Sequence, residues 1–304
     1  MSFQTVRYYL NLFKSIKSSI RYKYEWHHHH NGRRHDFHIA ICSIIHGDEV
    51  GSLPAVLEII ENLQSEKLQY GGLLTIVLGN PEAAMQNVRF IESDLNRVFI
   101  ETKPYNHETE RAQEIMPILN DCDLLLDLHQ TILPSYNPFY IFPHSEQSFA
   151  WAKAIKATTA LVDATPRKPA TTRCADEYVW LQQKPAITLE LGKKGFSQLA
   201  QECSVQTIRK TIELADDIHL RNTNLDDYKT DSLQIFQTVH REPFSNPNYR
   251  LRPGLINFTP VKKGELLTAQ SSPKIHAPAD GKILFPKYPP PDKALPKEIF
   301  RVIA

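Results

Sequence analysis

Apolar runs of strand length alternate along this chain with segments of helical periodicity, and this alternation constrains the fold most. The runs are Phe37–Ile45, Leu73–Leu78, Asp123–Leu128, Phe139–Phe142 and Ala186–Leu191. Helical periodicity occurs at 52–64, 109–119, 146–157 and 204–218. Strands that alternate with helices are typical of a parallel sheet covered on both faces. The sequence therefore predicts an α/β fold with a mostly parallel mixed sheet flanked by helices.

The N-terminal region carries two local signals. Tyr9, Phe13, Ile16 and Ile20 recur at helical spacing, which predicts an amphipathic helix packed on the protein body, with membrane-surface attachment as the alternative. Asn31-Gly32 separates two β-prone segments and predicts a hairpin within residues 1–36 that continues into the next strand.

Four consecutive histidines, His27–His30, lie beside this turn. Side chains alternate between the two faces of a strand, so adjacent histidines cannot converge on one ion. We interpret the run as an exposed polar strand end or an embedded purification tag.

The composition changes after about Leu225, where glycine and proline recur and helical periodicity fades. Short apolar runs at Leu255–Phe258, Glu265–Leu267 and Lys282–Phe285 predict a small β domain. Residues 276–282 resemble the turn of barrel-sandwich domains. We therefore expect a catalytic domain over residues 1–225 and a barrel-sandwich-like β domain over residues 226–304.

The charge balance and the cysteines restrict the class of protein. The 304 residues include 35 basic and 34 acidic side chains, so no overall field favours nucleic acid or an anionic membrane. The four cysteines form no Cys-x-x-Cys pair, which is typical of reduced thiols in a cytosol. No apolar stretch approaches the ~20 residues that cross a bilayer. We expect a cytoplasmic protein with neither a nucleic-acid nor a membrane partner.

Two histidines and a glutamate are candidates for one metal site. His46 and His129 each end an apolar run, and Glu49 follows His46 closely. Ligands of open α/β sheets collect beyond the carboxyl ends of the strands. Two imidazoles and a carboxylate form a common catalytic zinc set that leaves a position for water, whose pKa zinc lowers towards ~7. The sequence thus favours a zinc hydrolase.

A second His-x-x-Glu copy, His107 to Glu110, is a control for coincidence. It lies in a polar stretch that opens a predicted helix, where acidic residues stabilise the first turn. We interpret this copy as structural.

An ordered series of short motifs resembles the succinylglutamate desuccinylase/aspartoacylase family, a branch of the zinc carboxypeptidase superfamily. The motifs are His46-x-x-Glu49, Asn80-Pro81, Arg89-Phe90, Asp94-Leu95-Asn96-Arg97-Val98-Phe99, Asp127-Leu128-His129 and Glu190-Leu191-Gly192. The similarity extends from about Phe37 to Gly195, and the last apolar runs resemble the C-terminal β domain of the family.

The resemblance implies a metal centre. His46, Glu49 and His129 would bind one zinc ion per chain. Asp94 would accept a hydrogen bond from a zinc-binding histidine, His46 in the first instance. A carboxylate that orients a metal-binding histidine in this way is usual at zinc sites.

The resemblance also implies catalytic and substrate-binding residues. Glu190 would be the general base, and Arg89 would face the scissile carbonyl. Asn96 and Arg97 would hold a substrate carboxylate, which a guanidinium binds through two parallel hydrogen bonds. Arg173 is a candidate for a second carboxylate contact, and a solvent-facing role is the alternative.

The chain departs from the family after the second histidine, where many members have Thr-Ala or Asn-Thr. Here Gln130 follows, and we expect Gln130 and the loop Pro134–Pro138 to reshape the acyl pocket. Tyr178 and Tyr288 are candidate substrate contacts, for which packing is the default interpretation.

The implied activity is hydrolysis of the amide bond in a small N-acyl amino acid or a similar carboxylate-bearing amide. A metallocarboxypeptidase acting on peptide C-termini is the nearest alternative. A non-catalytic relative that binds zinc or a ligand is the alternative from another class, and such a protein would not need a general base at Glu190.

Overall fold

A large mixed sheet forms the centre of the molecule in the computed structural model, which describes residues 3–16, 21–100, 103–143, 145–162, 173–221, 223–228, 233–288 and 295–304. Its strands are β1 (His27–Asn31), β2 (His38–Ser43), β3 (Leu73–Leu78), β4 (Leu124–Thr131), β5 (Phe139–Tyr140), β6 (Ala160–Val162), β7 (Ala186–Lys193) and β8 (Gln234–Phe236). Their order across the sheet is β1-β3-β2-β4-β7-β5-β6-β8. Strands β3, β2, β4 and β7 pair in parallel, whereas β1 and β5 pair antiparallel with β3 and β7.

In the described part of the chain, seven α-helices flank the sheet. They are α1 (Phe3–Ser15), α2 (Leu53–Gln64), α3 (Pro81–Gln86), α4 (His107–Asp121), α5 (Glu146–Ile155), α6 (Ala175–Trp180) and α7 (Gln198–Arg221), with short 3-10 helices at Leu95–Arg97 and Leu225–Tyr228. Helix α2 packs against α1 and α7, and α4 packs against α6. This architecture confirms the predicted α/β class with a mixed, helix-flanked sheet.

The apolar patterns explain why these segments form these elements. Every residue of β2, β3 and β4 is buried, as expected of strands that are covered on both faces. In α2 the apolar side chains recur at helical spacing and face the core, and a proline occupies the first turn, where its missing N–H has no helical partner to lose. Phe13 of α1 is buried and Tyr9 and Ile16 are half-buried against the protein body, in line with the predicted packed helix, whereas Ile20 lies outside the described residues.

The predicted N-terminal hairpin is wrong. Strands β1 and β2 do not pair with each other, because β3 lies between them and pairs with both. Beyond β1, the backbone N–H groups of Gly32 and Arg34 donate to Gly72 and Gly71. The chain after Asn31 is thus held by the segment that precedes β3.

The histidine run is not an exposed strand end. It forms most of β1, where the side chains of His27, His28 and His29 are buried. His29 Nδ1 lies 2.7 Å from Thr75 Oγ1, and His38 Nε2 approaches the same hydroxyl at 2.7 Å. The run therefore contributes to the packed edge of the sheet.

The C-terminal region forms a second, antiparallel sheet. It consists of β9 (Thr238–Pro243), β10 (Pro260–Val261), β11 (Gly281–Leu284) and β12 (Glu298–Ile303), in the order β10-β11-β12-β9. This confirms the predicted small C-terminal β unit. Two of the apolar runs that predicted it, 255–258 and 265–267, lie outside these four strands. Strand β8 still pairs with β6 of the large sheet. The boundary at residue 225 and the barrel-sandwich likeness stay predictions.

An apolar cluster joins the two sheets. Phe139 of the large sheet packs with Phe258, Leu284 and Ile303 of the C-terminal unit.

Within the described ranges, no helix is long and apolar enough to span a membrane.

The buried histidines predict an acid-sensitive fold. Burial lowers the pKa of His28 to about 4 and that of His29 to about 3, with neighbouring histidines adding to the effect. The pKa of a histidine in the unfolded chain is about 6.5. The contribution of the neutral, buried His28 and His29 to stability is therefore complete above that pH, and it is lost as the pH falls towards 4, because the unfolded chain then binds more protons than the folded protein. We expect the free energy of unfolding to fall by up to about 1.4 kcal/mol per pH unit for each such histidine, measured by urea denaturation.

His28→Phe keeps an aromatic ring and removes one titrating group, so its stability should depend less steeply on pH between 6.5 and 4. The control is the same substitution at the exposed His276, which should leave the slope unchanged. Parallel pH profiles for wild type and His28→Phe would contradict this account.

Candidate metal centre and active site

His46, Glu49 and His129 come together at the carboxyl ends of neighbouring strands. One potential ligand atom from each lies within 4.8 Å of the others, and all three side chains are buried. The two imidazole ring centroids are 4.9 Å apart. His46 follows β2, His129 lies in β4, and these strands pair in parallel, so residues 83 positions apart in the chain meet at one edge of the sheet.

Each histidine is held from its far side by an aspartate. His46 Nδ1 faces Glu49 Oε1 at 2.9 Å, while its Nε2 lies 3.1 Å from Asp94 Oδ1. His129 Nδ1 faces Glu49 Oε2 at 2.9 Å, while its Nε2 lies 2.9 Å from Asp127 Oδ2. Both Nδ1 atoms therefore point to the same place, and each aspartate orients one ring. The contact of Asp94 is the one that the resemblance implied, whereas Asp127 was not assigned a role.

Glu49 interacts electrostatically with both histidines of the centre. Its burial opposes ionisation, but the charges and hydrogen bonds of His46 and His129 lower its pKa well below the ordinary range. The pKa of His129 changes in the opposite direction. Burial lowers this pKa, but the charges of Asp127 and Glu49 and the hydrogen bonds to them outweigh burial and raise it well above its ordinary value. The backbone N–H of Gln130 also donates to Glu49 Oε2, at 2.9 Å. The carboxylate is thus ionised and fixed in orientation.

Arg89 lies against this centre. Its Nη1 donates to Glu49 Oε1 at 3.2 Å, and its Nε and Nη2 donate to Asp94 Oδ2 at 3.2 and 3.1 Å. Arg89 also lines the cavity into which the metal-binding candidates open. Its guanidinium therefore lies in the cavity wall and is held there by Glu49 and Asp94.

Gly47 fixes the turn after β2. Its N–H donates to the carbonyl of Arg89, and a Cβ added to it would lie 2.4 Å from backbone atoms of α3. Glycine is required here by this close approach of two backbone segments.

Glu108 organises the loop between Arg89 and Asp94. Its fully buried carboxylate accepts hydrogen bonds from the backbone N–H groups of Ile91, Glu92 and Ser93 and from the side chain of Asn80, at 2.6–3.0 Å. The second His-x-x-Glu copy opens α4, as expected of a structural segment, and Glu108 within it supports the site.

Glu190 lies next to His129 in the parallel register of β4 and β7. Its side chain lines the cavity, and its buried Oε2 has no hydrogen-bond partner among the described residues. Burial, reinforced by the charge of Glu49, raises the pKa of Glu190 to about 7. A carboxyl group with a pKa near neutrality is suited to accepting and returning a proton.

Asn96 and Arg97 form the wall beside His129. Asn96 Nδ2 lies 3.4 Å from His129 Nε2, and its Oδ1 accepts from the backbone of Ala175. Arg97 Nη1 donates to the Asn96 carbonyl at 2.5 Å and contacts Cys174 Sγ. Both side chains line the cavity.

Arg173 is placed differently. Its N–H donates to the Arg97 carbonyl, and its carbonyl accepts from the Phe99 N–H. Arg173 is not one of the described residues that line the cavity.

The hydroxyl of Tyr178 donates to the side chain of Asn120, and the hydroxyl of Tyr288 donates to the carbonyl of Arg252. Both hydroxyls therefore make structural contacts.

Gln130 has a structural function that the sequence did not indicate. Its Oε1 accepts from the backbone N–H groups of Gly51 and Gly195, and its Nε2 donates to the carbonyls of Lys193 and Gly195. The buried amide therefore joins the loop after β2 to the loop after β7. Its side chain makes these backbone bonds and also lines the cavity, as do Ile132 and Leu133. The loop Pro134–Pro138 is not part of the described lining, and a reshaped acyl pocket stays a prediction.

The cavity has a volume of about 770 Å³, and the C-terminal unit provides part of its wall. The residues from that unit are Gln237, Thr238, Arg241, Asn257, Phe285, Pro286, Lys287, Glu298 and Arg301. Asn257 connects the two walls, because its side chain donates to the carbonyls of Leu133 and Pro134 and accepts from the N–H of Phe285.

Sequence patterns did not identify these C-terminal residues, since they meet the metal centre only through the packing of two sheets. Asp127 is different. It lies two positions before His129 in a strand, so the two side chains share a face, and this spacing was a usable signal.

Comparison with known proteins places this site in a family. The sequence profile of the succinylglutamate desuccinylase/aspartoacylase catalytic domain matches residues 37–218. A succinylglutamate desuccinylase of Yersinia pestis (strain Pestoides F) is 28% identical over 257 residues, which cover 76% of this chain and 74% of the relative.

Solved structures share the fold. The succinylglutamate desuccinylase of Chromobacterium violaceum has a TM-score of 0.67 at 22% identity and covers 100% of this chain and 98% of its own. Murine aminoacylase 3 has a TM-score of 0.60 at 19% identity, covering 88% of this chain and 94% of its own.

The Gln130 contacts predict a large effect on stability. Gln130→Glu replaces the donating amide by a second carboxylate oxygen that faces two carbonyls, so we expect a loss of about 3 kcal/mol in the free energy of unfolding. Urea denaturation at neutral pH measures it. The matched control, Gln147→Glu at an exposed position of α5, should change stability by less than about 0.5 kcal/mol. Similar stabilities of the two variants would contradict the proposed clamp.

Proposed function

Because this chain belongs to the succinylglutamate desuccinylase/aspartoacylase family, we propose that it is a zinc-dependent hydrolase that cleaves the amide bond of a small N-acyl amino acid. The family assignment makes the chain a hydrolase of the desuccinylase/aspartoacylase type. The zinc ion and the substrate class are the proposal.

The proposal rests chiefly on one observation. A buried His-Glu-His set and a separate, half-buried carboxylate, Glu190, open into the same cavity. A metal-binding module has no need for a carboxylate whose Oε2 lacks a partner among the described residues. A hydrolase needs such a group as its general base.

The donor set fits zinc. Two imidazole nitrogens and a carboxylate oxygen are the ligands of a common catalytic zinc site, and the aspartates behind both histidines match the usual support of such ligands. Zinc held by His46, Glu49 and His129 would polarise the scissile carbonyl and lower the pKa of water at the site.

The chain's own residues then have distinct tasks. Glu190 would accept a proton from the attacking water and return it to the nitrogen of the leaving amine. Arg89 would donate to the carbonyl oxygen as negative charge develops there, a contribution of about 2.7–4 kcal/mol for a preformed donor. Asn96 and Arg97 would hold a carboxylate of the substrate and so orient the amide bond. The products would be a carboxylic acid and a free amino acid.

The names of the relatives agree with this substrate class. Desuccinylases and an aminoacylase are among the similar proteins, and both names denote removal of an acyl group. A cavity of about 770 Å³ lined by several cationic side chains suits a small anionic amide.

Removal of the base should abolish turnover. Glu190→Gln keeps the size of the side chain but cannot take up a proton, so we expect kcat for release of free amine from N-acyl amino acids to fall by about 10²–10⁴-fold. Amine release is followed by a fluorogenic amine reagent, and zinc content is measured in parallel. Glu213→Gln, on the exposed face of α7, should keep wild-type activity. Equal rates for wild type and Glu190→Gln would refute the assignment of the base.

The metal centre has its own test. We expect one zinc ion per chain, removable by a chelator with loss of activity and restored by added zinc. Asp127→Asn weakens the support of His129, so zinc affinity should fall about 10–100-fold in a competition titration with a chromogenic chelator. Asp123→Asn is the control, since Asp123 accepts from the His38 backbone before β4 begins. An unchanged affinity in Asp127→Asn would argue against His129 as a ligand.

A further inference from the structure

A second cavity, with a volume of about 370 Å³, lies where the large sheet meets the C-terminal unit. Among the described residues that line it are Tyr136, Asn137, Gln234, Phe236, Phe258 and Lys282. We call it the junction cavity, and we call the cavity at the metal-binding candidates the catalytic cavity. The two cavities share no described lining residue. Pockets of more than about 300 Å³ hold small molecules in other proteins, so the junction cavity is large enough for a ligand.

Lys282 of β11 brings a positive charge to the junction cavity. Its Nζ lies 4.6 Å from the ring centroid of Phe236 and 5.7 Å from that of Phe258. Within the described ranges, no aspartate or glutamate lines this cavity or pairs with Lys282. Cation–π attraction to the two rings fixes the position of the ammonium group but does not neutralise its charge. The wall therefore presents a positioned cation to an anionic ligand.

Polar side chains lie beside this cation with hydrogen-bonding groups that the described protein does not use. The side-chain amides of Asn137 and Gln234 and the hydroxyl of Tyr136 make no hydrogen bond to another described residue. Each of these groups can both donate and accept. A few polar groups placed among aromatic rings are typical of a small-molecule site.

The aromatic part of the wall is held firmly. The ring of Phe258 packs 5.2 Å from that of Phe139 and 5.7 Å from that of Phe236, measured between centroids. Phe258 also has a φ of 68°, in the left-handed region that bulky residues rarely adopt. Strained backbone of this kind is concentrated at functional sites and ligand clamps.

We propose that the junction cavity binds a small aromatic carboxylate. The carboxylate pairs with Lys282, and the ring of the ligand packs against the aromatic side chains, for which edge-to-face and offset contacts are favourable. A free amino acid fits poorly, because its ammonium group would lie near Lys282 with no acidic side chain in the described lining to compensate it.

The two cavities share chain segments, which couples them. Residues 132–133 line the catalytic cavity, and residues 136–137 of the same loop line the junction cavity. Asn257 and Phe258 are divided in the same way, and the Asn257 N–H donates to the carbonyl of Pro134 within that loop. A ligand against Tyr136 or Phe258 thus contacts segments of the catalytic wall. The bound carboxylate is therefore an effector of catalysis, a part of the inference that rests on the proposed function.

Isothermal titration calorimetry of the zinc-loaded protein tests the site with benzoate as the probe. We expect benzoate to bind at least about tenfold more tightly than benzamide or phenylalanine, because benzamide has no charge and phenylalanine carries an ammonium group. Equal affinities for benzoate and benzamide would overturn the proposal.

Variants assign the binding to the junction cavity. Lys282→Gln should weaken benzoate binding about tenfold, and Tyr136→Ala, at an exposed position, should weaken it several-fold. Lys262→Gln is the matched control, because Lys262 of the same unit pairs with Asp280 at the exposed surface, and it should keep the wild-type affinity. Benzoate binding that weakens in Arg97→Gln but not in Lys282→Gln belongs to the catalytic cavity and would overturn the proposal.

Steady-state kinetics test the effector role. Saturating benzoate should change KM for the N-acyl amino acid with the highest kcat/KM at least about twofold in wild type and leave it unchanged in Lys282→Gln. A change that persists in Lys282→Gln, or an unchanged KM in wild type that binds benzoate, would refute this role. If no amide is cleaved, the proposed function fails, and calorimetry still decides whether the junction cavity is a carboxylate site.

Discussion

The parallel pairing of β4 with β2 on one side and β7 on the other is the constraint on which the site depends. It places the ends of three buried strands at one edge, where His46, His129 and Glu190 meet. Because side chains alternate along a strand, a slip of one residue in β4 would turn His129 and Asp127 to the opposite face. The apolar side chains that fix this register are buried on both faces, so core packing determines the geometry of the polar centre.

The polar centre is stable because its buried charges are compensated. Glu49 is met by two imidazoles, the Arg89 guanidinium and the Gln130 N–H, and Glu108 is met by three backbone N–H groups and Asn80. A buried carboxylate without such partners would be strongly destabilising. Within the described part of this centre, Glu190 Oε2 and Asp127 Oδ1 both lack a hydrogen-bond partner. Of the two residues, Glu190 lines the cavity and has a raised pKa, and a perturbed pKa in a cavity is characteristic of a functional site.

The sequence predicted the central elements well, since their signals are local and long. The predicted bounds of β3 agree with the structure, α2 differs by one residue at its start, and the strands bearing His46 and His129 were placed correctly. The hairpin prediction failed because Asn31-Gly32 favours a turn but does not determine which strand pairs with β1, and β3 lies between β1 and β2 in the sheet. The strands β9 and β12 were missed, as β9 alternates between exposed and half-buried residues and carries no apolar run.

The two sheets divide the tasks of the cavity. The large sheet holds the metal-binding candidates and Glu190 at the ends of its paired strands. The C-terminal sheet presents charged side chains to the same space, and Asn257 fixes its position through bonds to the loop after β4 and to Phe285. Murine aminoacylase 3 shares this architecture at 19% identity, so the fold by itself does not determine the substrate.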